Sequence, residues 1–486
     1  MKSGFQYKKI VNSLKRRRKG STVSDICAAT ALPLSAVREL LPKAADEYSG
    51  HLRVTENGEI LYYFPNGFTS RYRSISTRLK KIFEKTSYVI KKFLVYIFKF
   101  WIMIMLFGYF IIFILLALAT VFLQIAARSN SKGRSGSVNF SAFNFLIRIW
   151  FYSELTKPRY GGNLNRNSGS FKSNDKQPMH KAIFSFIFGE EDPNRDWEEQ
   201  QNKAIIAYCQ ANKGVISLVE YMAFTGENSP DAEKSILYFC SKFEGSPEVT
   251  ENGTIVYYFE KLLTHTDRNK LKELAAPVKR LKLFSVNSKK KNGWFIAVNA
   301  FNLIFGSYFL YQSFAAGHLI SEIQYQAASA VYAYTHLFLQ FVIYDPHTII
   351  RIALGIVPLV FSMFFWIIPA VRNNILKKEN KKIKLSNFKR FSFNRIWSSP
   401  KNIEKSSLQP SADEFKPGDI DAAADRVIKD ISAVSNPEIE VTPDKKTIYS
   451  FYDLEREKVA LEKYRSNIDL TKVNIGKTIF DTGELT

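Results

Sequence analysis

Three long apolar stretches stand out in the pattern of hydrophobic and polar positions along the chain. The first, Phe100–Ala127, contains no charged residue, and basic residues border it on both sides. The second is Trp294–Ala315, and the third is Ile349–Val371, which carries Arg351 near one end. At about 1.5 Å per residue, each stretch can cross the roughly 30 Å hydrocarbon core of a bilayer. The pattern therefore predicts about three transmembrane helices.

Lysine and arginine are distributed unequally around these stretches. Residues 264–291 and 372–395 carry nine each, whereas residues 316–348 carry none. Because such residues concentrate on the cytoplasmic side of a membrane, the second and third spans should form a hairpin with 316–348 on the non-cytoplasmic side. This distribution predicts a multi-pass protein of the plasma (inner) membrane whose folded modules are mainly cytoplasmic.

Two questions of topology stay open. Residues 71–92 hold eight Lys or Arg, so the first span should start in the cytoplasm. A single crossing would then put 128–263 outside, which contradicts a cytoplasmic residue 264. A return of residues 140–155 through or along the membrane would resolve the conflict. The uncharged run 323–344 is read as an amphipathic or re-entrant segment, with a fourth span as the alternative.

An eleven-residue pattern recurs three times in the chain. Val54–Phe64 and Val249–Phe259 are nearly identical, and Val441–Phe451 keeps Val, Thr, Tyr and Phe in register. Asn-Gly or Asp-Lys-Lys separates two β-prone runs in each copy, which predicts a hairpin. In the first copy, helical patterns at Thr22–Thr30 and Ser35–Ala44 precede the hairpin. Helix, turn, helix and hairpin in this order are typical of a winged helix.

The fold class predicted is an α+β membrane protein, with about three transmembrane helices and three small winged-helix-like modules. In the second copy the helix pair is placed at Ile216–Phe224 and Asp231–Phe243, and in the third copy Asp419–Ser435 is a helix. The predicted layout is module 1 (1–68), a basic juxtamembrane helix (69–99), span 1 (100–127), an interfacial segment and flexible linker (128–180), module 2 (181–263), a basic segment (264–293), span 2 (294–315), a non-cytoplasmic loop (316–348), span 3 (349–371), a basic segment and linker (372–418), and module 3 with a C-terminal tail (419–486).

Two further phrases carry a resemblance. Phe184–Asn194 reads FSFIFGEEDPN, and Ile368–Asn380 begins with IPAVR and ends in asparagine. Together with the hairpins, these phrases resemble an uncharacterised family of membrane proteins from cyanobacteria and chloroplasts, with looser bacterial relatives, that carries winged-helix-like repeats. The resemblance covers most of the chain in order. It implies an architecture and implies no activity.

The net charge of +23 indicates anionic partners, which are acidic lipid headgroups or nucleic acid. A recognition helix that reads DNA normally exposes several basic or amide side chains, but the candidate helices here mix lysine and arginine with acidic residues. The weak candidates for nucleic-acid binding are Lys15, Arg16, Arg17, Arg18, Lys19, Arg38 and Lys43. The candidates for lipid headgroup binding are Lys80, Lys81, Lys91, Lys92, Lys289, Lys290, Lys291, Lys377, Lys378, Lys381 and Lys382.

The sequence offers little that resembles a catalytic centre. An acidic cluster around Asp192-Pro193 is read as the start of a helix with an acidic first turn. Neither the spacing of His318, His336 and His347 nor that of the three cysteines matches a common metal site. We therefore expect no enzyme activity, no cofactor and no metal. The predicted function is a membrane scaffold or adaptor with unknown protein partners, and the alternative is a membrane-tethered nucleic-acid-binding regulator. A small transport component is a third reading, and it predicts a polar path through the spans.

Overall fold

The computed structural model describes residues 2–17, 20–65, 67–69, 71, 75–129, 177–264, 276–317, 330–443, 446–470 and 476–484. The chain forms two compact units from interleaved segments. The module unit consists of 1–88, 191–282 and 374–486, and the span unit consists of 89–190 and 283–373.

Helices and strands alternate along the described residues in a mixed fold. The helices are α1 (Lys2–Leu14), α2 (Val23–Thr30), α3 (Leu34–Glu47), α4 (Ile75–Ser129), α5 (Met179–Phe188), α6 (Trp197–Ala211), α7 (Leu218–Thr225), α8 (Ser229–Phe243), α9 (Lys289–Gly317), α10 (Ala330–Gln340), α11 (Pro346–Ser398), α12 (Ile420–Ser432) and α13 (Tyr452–Asn467). The strands are β1 (His51–Thr55), β2 (Ile60–Tyr63), β3 (Val215–Ser217), β4 (Ser246–Val249), β5 (Ile255–Tyr258), β6 (Ile403–Glu404), β7 (Glu438–Val441), β8 (Thr447–Ser450) and β9 (Thr478–Asp481).

Among the described residues, three helices are long and apolar enough to cross a membrane. They contain the segments Val89–Ile125, Lys289–Ala315 and Pro346–Ser398, and each includes one of the predicted spans. The first helix already begins at Ile75, so the basic juxtamembrane stretch and the first span form one helix. The third helix includes a π-helical stretch, Ile350–Ile356, at the start of its apolar part.

Glycines bring α9 and α11 close together in the span unit. A Cβ atom added to Gly355 would lie 3.1 Å from the Cα of Leu310, and one on Gly306 would lie 3.3 Å from the backbone of Leu359. The end of α9 thus meets the start of the third span, as the predicted hairpin requires. Small residues at such crossings allow helix backbones to approach within van der Waals contact.

Two buried asparagines connect the spans. The side-chain amide of Asn299 donates to the carbonyl of Ser362 on α11 at 3.1 Å, and that of Asn302 donates to the carbonyl of Leu106 on α4 at 2.7 Å. Both side chains therefore form hydrogen bonds between helices.

The short apolar helix α5 packs against the spans. Ile183 and Phe186 join Leu106, Phe295 and Phe365 in one buried cluster. Most of α5 was predicted to belong to the second module (181–263), whereas the structure groups the helix with the span unit. The segment 140–155, which was considered as a return through the membrane, lies outside the described residues, as does most of the linker 128–180. Of the run 323–344, residues 323–329 lie outside the described residues, and residues 330–340 form α10.

The module unit contains three small sheets. Their strand orders are β2-β1-β9, β3-β5-β4 and β6-β8-β7. The pairs β1–β2, β4–β5 and β7–β8 are the three predicted hairpins, and all are antiparallel. In the second and third sheets a short strand before the helices also pairs with the second hairpin strand, and in the first sheet Ser21 bridges to Tyr62 at the equivalent place.

Local signals in the sequence explain where the paired helices start. Thr22 and Asp25 form a capping box at the start of α2, and Ser217 and Glu220 form one at the start of α7. Asn228 caps α8, which has proline in its first turn. These caps fix where α2, α7 and α8 begin. The helices of both predicted pairs lie within a few residues of their predicted bounds.

One apolar core runs through all three parts of the module unit. It includes Ile26 and Val37 from the first part, Phe239 from the second, and Phe451 and Leu461 from the third, all of them at most 2% exposed. The cysteines lie buried without disulfides, and burial raises the pKa of Cys27 to about 12. These thiols therefore behave as small apolar side chains.

The C-terminal strand β9 completes the sheet of the first hairpin rather than that of the third. It pairs antiparallel with β1, and the Asp481 carboxylate accepts hydrogen bonds from Arg53 Nε and the Tyr63 hydroxyl, each at 2.6 Å. These two contacts lower the pKa of Asp481 to about 2. This segment was predicted only to be part of a C-terminal tail.

Candidate interaction surfaces

The basic residues of α3 are paired with carboxylates. Both terminal nitrogens of Arg38 donate hydrogen bonds to the Glu244 carboxylate, at 2.9 and 3.0 Å. This hydrogen bonding raises the pKa of the guanidinium. Lys43 donates to Glu39 at 2.6 Å, one turn away on the same helix. Both pairs are exposed. A helix whose cations already contact carboxylates is a poor phosphate-binding face.

The predicted basic run after α1 is only partly described. Arg17 lies 3.3 Å from Asp25, the acidic residue of the α2 capping box, and the ammonium of Lys15 lies 5.9 Å from the centre of the Phe68 ring. Arg16 is also described, whereas Arg18 and Lys19 lie outside the described residues. The seven nucleic-acid candidates thus divide between α3 and the end of α1, and three of them form ion pairs.

The corresponding helix of the second module, α8, exposes apolar side chains. Leu237 is 53% exposed and Tyr238 is 62% exposed. Lys242 lies 4.4 Å above the ring of Tyr238 and pairs with Glu198 at 2.8 Å. Exposed aromatic and aliphatic side chains on a rigid helix are typical of protein-binding surfaces rather than of DNA-reading ones.

Two of the hairpins also present apolar residues at their ends. Val249 and Ile255 are direct cross-strand partners and both are more than half exposed. On the third hairpin, Ile439 and Val441 are likewise exposed. These exposed apolar residues were not predicted, although the alternation of the strand pattern contains the signal.

Three asparagines hold one extended segment of the module unit, and we call them the asparagine clamp. Each side-chain amide both accepts from and donates to the backbone of one residue: Asn387 with Lys279 at 3.0 and 2.7 Å, Asn194 with Arg280 at 2.9 and 2.8 Å, and Asn380 with Lys282 at 2.9 and 2.8 Å. The amides replace the neighbouring strand that this backbone lacks. They fix the path of residues 279–282.

The clamp accounts for parts of the two phrases that carry the family resemblance. Asn194 ends the first phrase and Asn380 ends the second. Asp192 does not start a helix, because α6 begins only at Trp197. Instead its carboxylate accepts from the Asn194 backbone at 2.9 Å and pairs with Lys282 at 2.8 Å, and the hydrogen bonds to both lower its pKa against the opposing effect of burial.

Arg390 on α11 closes the C-terminal end of α7. Its guanidinium donates to the carbonyls of Phe224 at 2.9 Å and Thr225 at 2.8 Å, and to the Asn387 side chain at 3.1 Å. It also lies 4.4 Å above the ring of Trp197, and the residue is 4% exposed. The last carbonyls of a helix lack partners within the helix, and Arg390 supplies donors to two of them. Sequence reasoning did not single out Asn387 or Arg390.

Arg372 makes the same kind of contact within the span unit. It donates to the carbonyls of Phe186 and Phe284, each at 2.7 Å, and to that of Ile187 at 3.1 Å. Gly189 ends α5 with φ +85°, and a Cβ atom there would lie 2.5 Å from the guanidinium. The arginine of one family-like phrase thus closes the helix that belongs to the other.

A charged cluster lies between the second module and α13. Arg465 donates to Glu220 at 2.7 Å and to the Val215 carbonyl at 2.9 Å, and Tyr208 donates to the other oxygen of Glu220 at 2.6 Å. Glu457 is partly buried beside this cluster. Burial raises its pKa to about 7, the Glu220 charge adds to the rise, and a hydrogen bond with Ser217 opposes it.

The predicted headgroup lysines are mostly exposed. Lys291 donates to the Gln177 carbonyl at 3.2 Å. Lys80 and Lys81 lie in α4, and their side chains are outside the described residues. The exposed ones are Lys91, Lys92, Lys289, Lys290, Lys377, Lys378, Lys381 and Lys382.

Possible metal ligands do not converge in the part of the chain that the structure describes. No group of three or more His, Cys, Asp or Glu residues there could hold a metal ion. His347 instead lies between the Tyr332 hydroxyl and Arg351, at 2.8 Å from each, and His336 stacks against Tyr332. His318 is outside the described residues.

Similarity to known proteins is confined to part of the chain. The chain is 25% identical over 255 residues to an uncharacterised chloroplastic protein of Arabidopsis thaliana. The aligned region covers 50% of this chain and 46% of the plant protein. No protein-family model matches the chain, and no solved structure matches it. The chain therefore spans about half the length of the plant relative, and the similarity supports an uncharacterised family with chloroplast members.

Proposed function

We propose that this protein is an integral membrane scaffold or adaptor that presents three winged-helix-like modules at the cytoplasmic face for binding other proteins. The reading is supported by the order of elements in the first two modules, which is a helix, a short strand (in the first module a single bridge at Ser21), a helix pair and a hairpin. In the third module, the end of α11, β6, α12 and the β7–β8 hairpin follow the same order, with a 3₁₀ turn and a loop in place of one helix.

The observation that carries the proposal is the chemistry of the two helices at the recognition position. On α3 the basic residues contact carboxylates, and on α8 the exposed residues are Leu237 and Tyr238. Neither surface offers the row of available cations and amides that reads a nucleic acid. Apolar and aromatic groups instead supply most of the free energy when a protein partner binds.

The spans serve as the anchor in this proposal. Their buried asparagines, Asn299 and Asn302, donate to backbone carbonyls of neighbouring helices, as interhelical contacts do. This use of the polar groups favours a packed anchor over a transport path. The cytoplasmic orientation is supported by the lysine and arginine counts on either side of the spans.

The test is an affinity purification of the intact protein from mild detergent, with and without nuclease. The wild type is compared with a Leu237→Asp/Tyr238→Asp double variant and with Val459→Asp, a matched control, because Val459 is 61% exposed on α13. We expect defined protein partners that survive nuclease, are lost in the double variant and are retained in the control. If nucleic acid dominates and the partners vanish with nuclease, the proposal fails and the tethered regulator replaces it.

A further inference from the structure

An apolar groove of about 430 Å³ lies within the span unit. Its lining comes from α4, the last two residues of α5 and the apolar part of α11, and every lining side chain is apolar. The lining includes Phe98, Trp101 and Met105 from α4, and Val360 and Phe364 from α11.

The groove opens on the outer surface of the helices. Trp101 is 50% exposed and Phe364 is 58% exposed, although both are large apolar side chains. On a membrane-spanning helix such residues face hydrocarbon, so the medium that fills the groove is lipid acyl chain. Apart from the indole N–H of Trp101, the lining side chains are hydrocarbon or thioether, so a polar ligand would lose most of its hydration there without compensation.

The dimensions of the groove match one leaflet. The lining of α11 runs from Ile356 to Ile368, which is a rise of roughly 18 Å at 1.5 Å per residue. This is somewhat more than half of the roughly 30 Å hydrocarbon core. The groove therefore follows an acyl chain through one leaflet, from the lysine-bearing end of α4 inward.

The positive charge of Lys91 lies at the lysine-bearing end of α4, on the helix face that lines the groove. Lys91 precedes Phe98 by seven residues and Met105 by fourteen, so the three share one helical face, and Lys91 lies roughly 10 Å beyond Phe98 along the axis. Its side chain is exposed. Residues 86–105 contain three lysines and no acidic residue. A cation placed about two turns beyond an acyl groove suits the phosphate of a lipid headgroup.

We propose that the groove binds one acyl chain of an anionic glycerophospholipid, with Lys91 at its headgroup. The site does not depend on the function proposed for the modules. One lysine near a membrane surface favours an anionic lipid by about fivefold, which is the preference expected at the site.

The position of Trp101 in the lining allows a direct test. The full chain is reconstituted in phosphatidylcholine vesicles that contain either brominated phosphatidylglycerol or brominated phosphatidylcholine at the same mole fraction. The difference between wild type and Trp101→Phe isolates the fluorescence of Trp101. We expect stronger quenching of Trp101 by the anionic lipid, corresponding to about a fivefold preference.

Two variants separate the charge from the groove. Lys91→Glu should remove the preference, whereas Lys290→Glu, the same charge change at another exposed lysine of the span unit, should keep it. Val360→Phe should fill the groove and reduce quenching by both lipids. Equal quenching of wild-type Trp101 by the two lipids would overturn the proposal, and so would a preference that survives Lys91→Glu. The wild-type comparison stands even if a variant fails to fold.

Discussion

Replacing Arg390 with methionine should destabilise the module unit. Methionine keeps much of the apolar volume over Trp197 but leaves the carbonyls of Phe224 and Thr225 buried without their donors. Each such carbonyl costs about 1–3 kcal/mol, and the relief of a buried cation offsets part of this cost. We expect a net loss of about 3 kcal/mol, which lowers the unfolding temperature in detergent by roughly 6–12 °C.

The matched control for this change is Arg395→Met. Arg395 lies on the same helix five residues later and is exposed, so its loss should change the free energy of unfolding by less than about 0.5 kcal/mol. Thermal unfolding compares the two variants.

A local readout then tests the mechanism. Amide hydrogen exchange should accelerate at the C-terminal end of α7 and around Gly226 in Arg390→Met and stay unchanged in the control. Equal unfolding temperatures for the two variants, or unchanged exchange at the end of α7, would refute the assigned role of Arg390.

Three further outcomes are expected. Glu457→Gln should stabilise the protein by no more than about 3 kcal/mol at pH 8 and by only about 0.5 kcal/mol near pH 4.5, because a carboxyl with a folded pKa of about 7 opposes folding once it must ionise. Unfolding at both pH values measures this, and a pH-independent difference contradicts it. Gly355→Leu should lower the unfolding temperature, whereas Gly108→Leu should not, since a Cβ at Gly355 meets another helix and one at Gly108 contacts only its own. Asp481→Ala should release β9 and speed proteolysis of the C-terminus relative to Asp413→Ala, and equal cleavage rates would show that the backbone pairing alone holds the strand.

Patterns with a short range in sequence predicted much of the local structure. The predicted spans fall inside three long helices, and each eleven-residue pattern became a hairpin. Both signals are local, since an uncharged run and an Asn-Gly turn each specify their own segment. The prediction that a helix begins at Asp192-Pro193 was wrong. The Asp192 carboxylate instead pairs with Lys282, which lies in a distant part of the sequence.

Contacts between distant segments were beyond such reasoning. The sequence of β9 does not indicate that its partner is β1, more than four hundred residues earlier. Asn387 and Arg390 look like ordinary polar residues of a basic helix, yet their partners are backbone groups of other segments. Likewise, the apolar sequence of α5 does not indicate whether the helix belongs to a module or to the membrane region. Its packing against the spans assigns it to the span unit.

These long-range contacts bear on how the modules act. Arg465 in the third segment neutralises Glu220 in the second, and Asp481 completes the sheet of the first. Removing the C-terminal segment would therefore leave a buried carboxylate without its cation in one module and an open sheet edge in another. The three modules also share one apolar core, so the stability of each surface depends on all three. Under the proposed function, a partner would therefore bind the assembled module unit, and isolated modules are expected to lose this surface.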